Sequence, residues 1–219
     1  MRVFLIPILV LLSACGQTAT SDIVRVLVWP IPVPSFEGAP EDRNARARWD
    51  DAAGPHASRG PAVALTLGSR RAVARLVSTQ GERRTWRSSG GVVVVTEGAR
   101  IVATSGLHDV LATTRFEGPD PLDNPRALVT REGRVRRIVD VMGSDREPAR
   151  MRFGLILDCT LQAREEGGAL LVEEECEGAA HFTNRFFANP ETGAVFRAEQ
   201  WVGDRISILE IEFLNPSAN

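Results

Sequence analysis

The sequence predicts an all-β domain over residues 62–219, an antiparallel barrel-like or sandwich structure built from hairpins. It follows a short N-terminal helix and a Pro-rich segment. Three observations carry this reading. From Ala62 onward, short β-rich runs recur between Gly, Asp and Pro: 62–68, 72–79, 82–87, 91–96, 99–104, 126–130, 134–141, 151–164, 169–176, 180–187, 194–202 and 205–213. Strands at this spacing belong to sandwiches and barrels. Two hairpin signals stand among them: Val92–Thr96 turning at Glu97-Gly98 into Ala99–Thr104, and Val129-Thr130 turning at Glu132-Gly133 into Arg134–Val141. Between the two halves, Pro119, Pro121 and Pro125, with Asp and Asn neighbours, mark a long surface turn.

The third observation is the alternation from Met151 to Ala163. Met151, Phe153, Leu155, Leu157, Cys159, Leu161 and Ala163 occupy the odd positions, and the even ones are mostly polar or small, Ile156 excepted. A strand with one buried face produces this pattern. Gly167-Gly168 then supplies two residues able to take φ > 0, as a type I′ turn needs. Counting outward from that turn places Cys159 opposite Cys176, Ala163 opposite Val172 and Glu165 opposite Leu170. The cysteines fall at a non-hydrogen-bonded pair, about 4.5 Å between Cα atoms, within reach of a disulfide. An oxidising compartment keeps such a bond, and no CxxC redox pair competes for these residues.

The N-terminus supplies that compartment. Arg2 precedes an apolar stretch from Val3 to Leu12, too short to span a bilayer, and Leu12-Ser13-Ala14-Cys15 has the form of a bacterial lipobox. Residues 1–14 are therefore expected to be a lipoprotein signal peptide. Cys15 is expected to be the acylated first residue of the mature chain, anchoring it to a membrane. Residue 16 is Gly, not the Asp of inner-membrane retention, which favours the periplasmic face of the outer membrane. Residues 15–61 are expected to form the linking region: a polar tether over 17–23, a Pro-rich stretch at Trp29–Pro34, a short helix between Pro40 and Ala53, and a loop.

Charge and composition exclude several classes. The 219 residues carry 26 basic and 28 acidic side chains, and loss of Arg2 with the signal leaves 25 against 28. That balance does not suit nucleic acid. Every basic residue is Arg and Tyr is absent. Ser105, His108 and Asp109 lie too close along one stretch to converge as a triad, and no G-x-S-x-G elbow is present. His56, His108 and His181 share no metal-ligand spacing, and Glu165, Glu166 and Glu173–Glu175 follow no calcium-loop pattern, so no metal or cofactor is expected. No spacing singles out a carboxylate pair for glycan hydrolysis. Trp86 with Arg87, and Trp201 with Arg185 and Arg197, are candidate glycan contacts, since aromatic faces stack on sugars and Arg binds hydroxyls or carboxylates. A core role for both tryptophans competes with this reading.

The motif blocks Arg84–Ser88, Val94–Leu107, Asp120-Pro121-Leu122, Asn184–Phe187, Asn189–Gly193, Val195–Arg197, Glu199–Gly203 and Ile211–Pro216 stand in the order found in the YjbF/GfcB type of lipoprotein. The chain resembles that family, associated with group 4 capsule and exopolysaccharide loci, over most of 80–216. The resemblance implies an all-β domain and a non-enzymatic outer-membrane lipoprotein assisting assembly or export of a surface polysaccharide. Its expected partners are the polysaccharide or other export-locus proteins. It supplies no catalytic residues. Two other classes stay open on the residues: a β-cavity carrier for a lipid or glycan fragment, which a deep apolar cavity would mark, and a glycan hydrolase, which facing carboxylates would mark.

Overall fold

Alternating residues need two faces and backbone groups need partners, and a chain of short strands meets both demands by pairing each strand with the next. The computed structural model describes residues 60–143, 147–203 and 208–214. The expected signal peptide, Cys15, the Pro-rich segment and the helix of residues 40–53 lie outside these residues. The strands are β1 (Ala62–Leu67), β2 (Arg70–Gln80), β3 (Arg83–Ser88), β4 (Val93–Glu97), β5 (Arg100–Ser105), β6 (Asp109–Glu117), β7 (Gly133–Gly143), β8 (Arg152–Glu166), β9 (Ala169–Gly178), β10 (Phe182–Ala188), β11 (Val195–Trp201) and β12 (Ile208–Phe213).

They form one antiparallel sheet of 12 strands in the order β5-β4-β3-β2-β1-β12-β11-β10-β9-β8-β7-β6. Because β1 pairs with β12, the sheet parts between β5 and β6 in mid-chain rather than at the ends of the domain. Those two edge strands pack together, so the sheet curls into a nearly closed barrel. Side chains satisfy backbone groups at the edge: the Leu111 N–H of β6 donates to Thr104 Oγ1 of β5 at 3.0 Å. Closing the sheet this way protects edges that would otherwise invite pairing with another chain.

The inward faces of the strands build one core, including Val63, Leu65, Trp86, Val94, Leu111, Val139, Leu157, Leu161, Val172, Phe186, Leu209 and Ile211. The β8–β9 hairpin has the register the turn residues predict: Cys159 faces Cys176, Ala163 faces Val172 and Glu165 faces Leu170. Gly167 and Gly168 both have positive φ, 60° and 81°. Cys159 and Cys176 are joined in a disulfide, with Cα atoms 4.1 Å apart.

Three expectations are corrected. Residues 126–130 are not a strand: Pro125–Val129 is a 3₁₀ turn following a shorter one at Pro121–Asp123, so the hairpin expected at Glu132-Gly133 does not form. Pro121 and Pro125 suit first positions of such turns, where no N–H donor is needed. The strand that pairs with β7 is instead β6, absent from the predicted runs. Phe153 is 64% exposed despite its odd position, because a register shift between Val139 and Val141 and a positive φ at Gly154 reverse the alternation at the start of β8. The Gly154 N–H donates to Asp140 Oδ1 at 2.7 Å and holds the irregularity.

Replacing Cys159 and Cys176 together by Ala should lower the unfolding free energy by about 3 kcal/mol, the chain-entropy contribution of a loop of this size. Urea unfolding of the oxidised parent and the double variant measures the difference.

Candidate functional site

Twelve strands enclose more space than small apolar side chains fill, and a group of buried polar residues occupies the remainder. Inward positions on β7, β9, β10 and β11 bring in Arg137, Glu174, Asn184 and Gln200, and Arg100 enters from the start of β5. All are buried, Glu174 with 0% exposure. An ionised group without water is costly unless it is paired, so the partners decide whether the arrangement is tolerable.

Glu174 is shared. Its Oε1 lies 2.8 Å from Arg100 Nη1, an ion pair rather than an aligned hydrogen bond. Its Oε2 lies 3.4 Å from Arg137 Nη1 and accepts from Asn184 Nδ2 at 2.6 Å. Asn184 Oδ1 in turn accepts the Trp201 N–H at 2.7 Å. Asp120, in the connection between β6 and β7, takes the other side of Arg100 in a fork: Nη2 donates to Oδ1 at 2.8 Å and Nε to Oδ2. Asp120 Oδ1 also caps the Leu122 N–H at 2.9 Å, so one carboxylate starts the 3₁₀ turn and ties it to the barrel wall. Gln200 reaches from β11 to β5, accepting from Ile101 N–H at 3.0 Å and donating to the Ala99 carbonyl at 2.8 Å.

Two guanidinium and two carboxylate charges balance, but not evenly. Burial pulls Arg100 down, yet Glu174 and Asp120 outweigh it and hold this side chain above the usual arginine range. Burial pulls Arg137 down to about 10, Glu174 offsets only part of the drop and Arg100 adds to it, so Arg137 stays charged at neutral pH. Aromatic faces supply further stabilisation. Phe116 lies 4.8 Å from Arg100 and 5.6 Å from Arg137, Phe186 lies 5.2 Å from Arg100, and Phe182 lies 5.6 Å from Arg137.

The candidate glycan contacts separate into two groups. Trp86 and Trp201 sit in the core, 2% and 5% exposed. Trp86 donates its ring N–H to Thr96 Oγ1 at 3.0 Å and meets the Phe213 edge, and Trp201 stacks on Phe182 with ring centres 4.5 Å apart. Buried rings of this kind offer no open face for a sugar. Arg87 is exposed on β3, with Arg75 opposite on β2. Arg185 and Arg197 do come together, on the outer face of β10 and β11, where Glu199 lies 3.6 Å from each. Arg197 also covers the Phe187 ring at 3.9 Å. The ladder continues through Glu173, which meets Arg185 at 3.3 Å and Arg164 on β8. Ser105, His108 and Asp109 fall around the β5–β6 connection.

Residues 57–214 match the family described as "Group 4 capsule polysaccharide lipoprotein gfcB, YjbF". The chain belongs to the YjbF family. A crystal structure of the hypothetical lipoprotein YmcC from Escherichia coli (K12) aligns with 92% of this chain and 100% of its own at a TM-score of 0.61 and 20% identity, a likeness of fold. No curated protein matches the chain. The motif blocks of the YjbF resemblance include Arg100, Asp120, Asn184, Phe186 and Gln200 of this buried network, while Arg137 and Glu174 stand outside them. Sequence reasoning missed the network because Glu173-Glu174-Glu175 reads as a solvated run, whereas strand alternation turns only Glu174 inward.

In the connection between β6 and β7, the exposed Asp123 carboxyl is held above the usual aspartate range by partial desolvation and by the charges of Asp120, Glu82 and Glu97, with Arg100 opposing them. A raised folded-state value means the ionised form is disfavoured in the fold. Its destabilisation is full above that value and vanishes as pH falls below the unfolded value of about 3.9. Asp123→Asn should therefore melt higher than the parent at pH 7, with the gap closing as pH approaches 4. Paired thermal melts across this range measure it.

Proposed function

We propose that this chain is a non-enzymatic lipoprotein, held by acylated Cys15 at the periplasmic face of the outer membrane, that assists assembly or export of a surface capsule or exopolysaccharide. The observation that carries the reading is the match of residues 57–214 to the capsule polysaccharide lipoprotein family. The lipobox at Leu12–Cys15 supports the anchor, with residues 1–14 as signal and 15–61 as the link to the β domain. In this reading the barrel is a rigid body that works through its surface. Its interior is taken up by Phe116, Phe182, Phe186 and the Arg100–Glu174–Arg137 network. A carrier of lipid or glycan inside the barrel needs room that these side chains occupy.

Arg185 and Arg197, with Phe187 beneath Arg197, are the proposed contacts for an acidic glycan or a partner of the export locus. Guanidinium groups exchange a neighbouring carboxylate for a ligand carboxylate at little net change in charge pairing. Such exposed ion pairs contribute only about 0–1 kcal/mol to stability, so giving them up to a ligand does not threaten the fold.

Deletion of the gene should reduce or alter surface polysaccharide under inducing conditions, and Cys15→Ala should reproduce much of that effect. Quantifying cell-surface and released polysaccharide in both strains checks it. Unchanged polysaccharide in the deletion strain would overturn the reading.

A further inference from the structure

The strand register assembles a group of donors that the linear sequence keeps apart. Glu175 and Glu177 are two residues apart on β9 and therefore share its outward face. The register that pairs Phe182 with Cys176 and Thr183 with Glu175 brings His181, just before β10, beside Glu177. One ligand atom from each of Glu175, Glu177 and His181 lies within 4.8 Å of the other two, and all three residues are exposed.

The charges around this group set it apart from the rest of the same face. Farther along, Glu173 is matched by Arg164 and Arg185, and Glu199 by Arg185 and Arg197. Asp158, directly opposite Glu177 on β8, is held by Arg136 at 2.8 Å. Among the described residues Glu175 has no ion pair, and Glu177 has only His181 Nδ1 at 3.9 Å. Three carboxylates on adjacent positions of a sheet repel one another, and the two nearby arginines are already engaged, Arg136 by Asp158 and Arg134 by Glu132, each at 2.8 Å. The group also borders an open concavity of about 760 Å³ whose charged lining is Glu117, Arg134, Arg136, Asp158, Glu175 and Glu177.

We propose that Glu175, Glu177 and His181 bind a divalent transition metal, with Zn²⁺ as the probe occupant. An imidazole beside two carboxylates suits Zn²⁺ and its neighbours in the transition series, whereas Ca²⁺ and Mg²⁺ take oxygen donors alone. Ligands at about 2.0–2.2 Å from Zn²⁺ stand about 3.3–3.6 Å apart in a tetrahedron, and rotation of two exposed glutamate side chains covers the remaining distance. The hairpin backbone already fixes where the three residues start, so binding orders side chains and not chain. Three protein ligands leave a coordination position for water or for an oxygen donor entering from the concavity. The proposal stands on the β9–β10 geometry and is independent of the role in polysaccharide export.

The test uses the full chain carrying Cys15→Ser, which removes the one thiol outside the Cys159–Cys176 pair, with no polyhistidine tag. Calorimetric titration with Zn²⁺ should show one saturable equivalent. Glu177→Gln and His181→Ala should each weaken it by at least about tenfold, a scale that even outer-shell partners of a metal reach. Glu165→Gln, an exposed carboxylate on the β8–β9 hairpin outside the group, and His108→Ala should leave the affinity unchanged. Circular dichroism of each variant confirms that the barrel is intact. Absence of a saturable equivalent, or an affinity that ignores Glu177→Gln and His181→Ala, overturns the proposal.

Discussion

The burial of one carboxylate, Glu174, is the constraint around which the barrel is arranged. A charge at zero exposure requires cations, and the two it receives come from different parts of the sheet, Arg137 on β7 and Arg100 on β5. β5 and β9 are far apart in strand order, so the contact between Arg100 and Glu174 crosses the interior rather than running along the ladder. Gln200 makes a second crossing from β11 to the backbone of β5. These struts position the edge strand that has no ladder partner beyond it. A barrel closed by side chains in place of a final row of backbone bonds depends on such groups being present and paired. Net stabilisation from a buried ion network is modest, while removing one member leaves a charge stranded at a cost of about 3–5 kcal/mol. Its contribution is best understood as fixing a unique arrangement of strands.

β9 shows how one strand serves both the interior and the surface. Glu174 and Cys176 face inward, to the ion network and the disulfide, while Glu173, Glu175 and Glu177 face outward. A slip of one residue would exchange the two sets, burying three unpaired carboxylates and exposing the sulfur bridge. The disulfide and the shared carboxylate therefore guard the same register from neighbouring positions. Arg137 Nη1 lies 4.0 Å from Cys176 Sγ, so the two devices are in direct contact. The connection between β6 and β7 is fastened into this assembly through Asp120, and apolar anchors at Leu122, Pro125 and Leu128 pack beneath it. Gly133 allows the close approach, since a Cβ there would stand 2.5 Å from Pro121 Cβ and 2.8 Å from Leu128 Cδ2.

How much of this was legible in the sequence depended on whether a segment obeyed the rule of apolar inside and polar outside. The β8–β9 hairpin did, and its register, turn and cysteine pairing follow from counting. β6 did not: Thr114 and Phe116 turn toward a partly polar interior, and a register shift between Leu111 and Thr113 breaks the alternation. Alternation therefore does not mark the nine residues of this strand. Val129 and its neighbours read as strand by composition, although the prolines on either side of Leu122 favour 3₁₀ turns. The buried network was hidden for a related reason. Glu174 is one of three consecutive glutamates, and only its pairing across the barrel distinguishes it. Trp86 and Trp201, which chemistry alone nominates for sugar contact, belong to the core, while Arg185 and Arg197 meet on the outside through Glu199.

A double-mutant cycle between Glu174 and Arg137 measures how strongly Glu174 is held by its coupling to buried arginine. Removing both charges leaves Arg100 balanced by Asp120. Unfolding free energies of the parent, Glu174→Gln, Arg137→Met and the double variant should give a coupling energy above about 1.5 kcal/mol, with the double variant more stable than Glu174→Gln alone. Losses that add to within about 0.5 kcal/mol would instead mean that Glu174 and Arg137 are independent and that no such coupling holds the carboxylate.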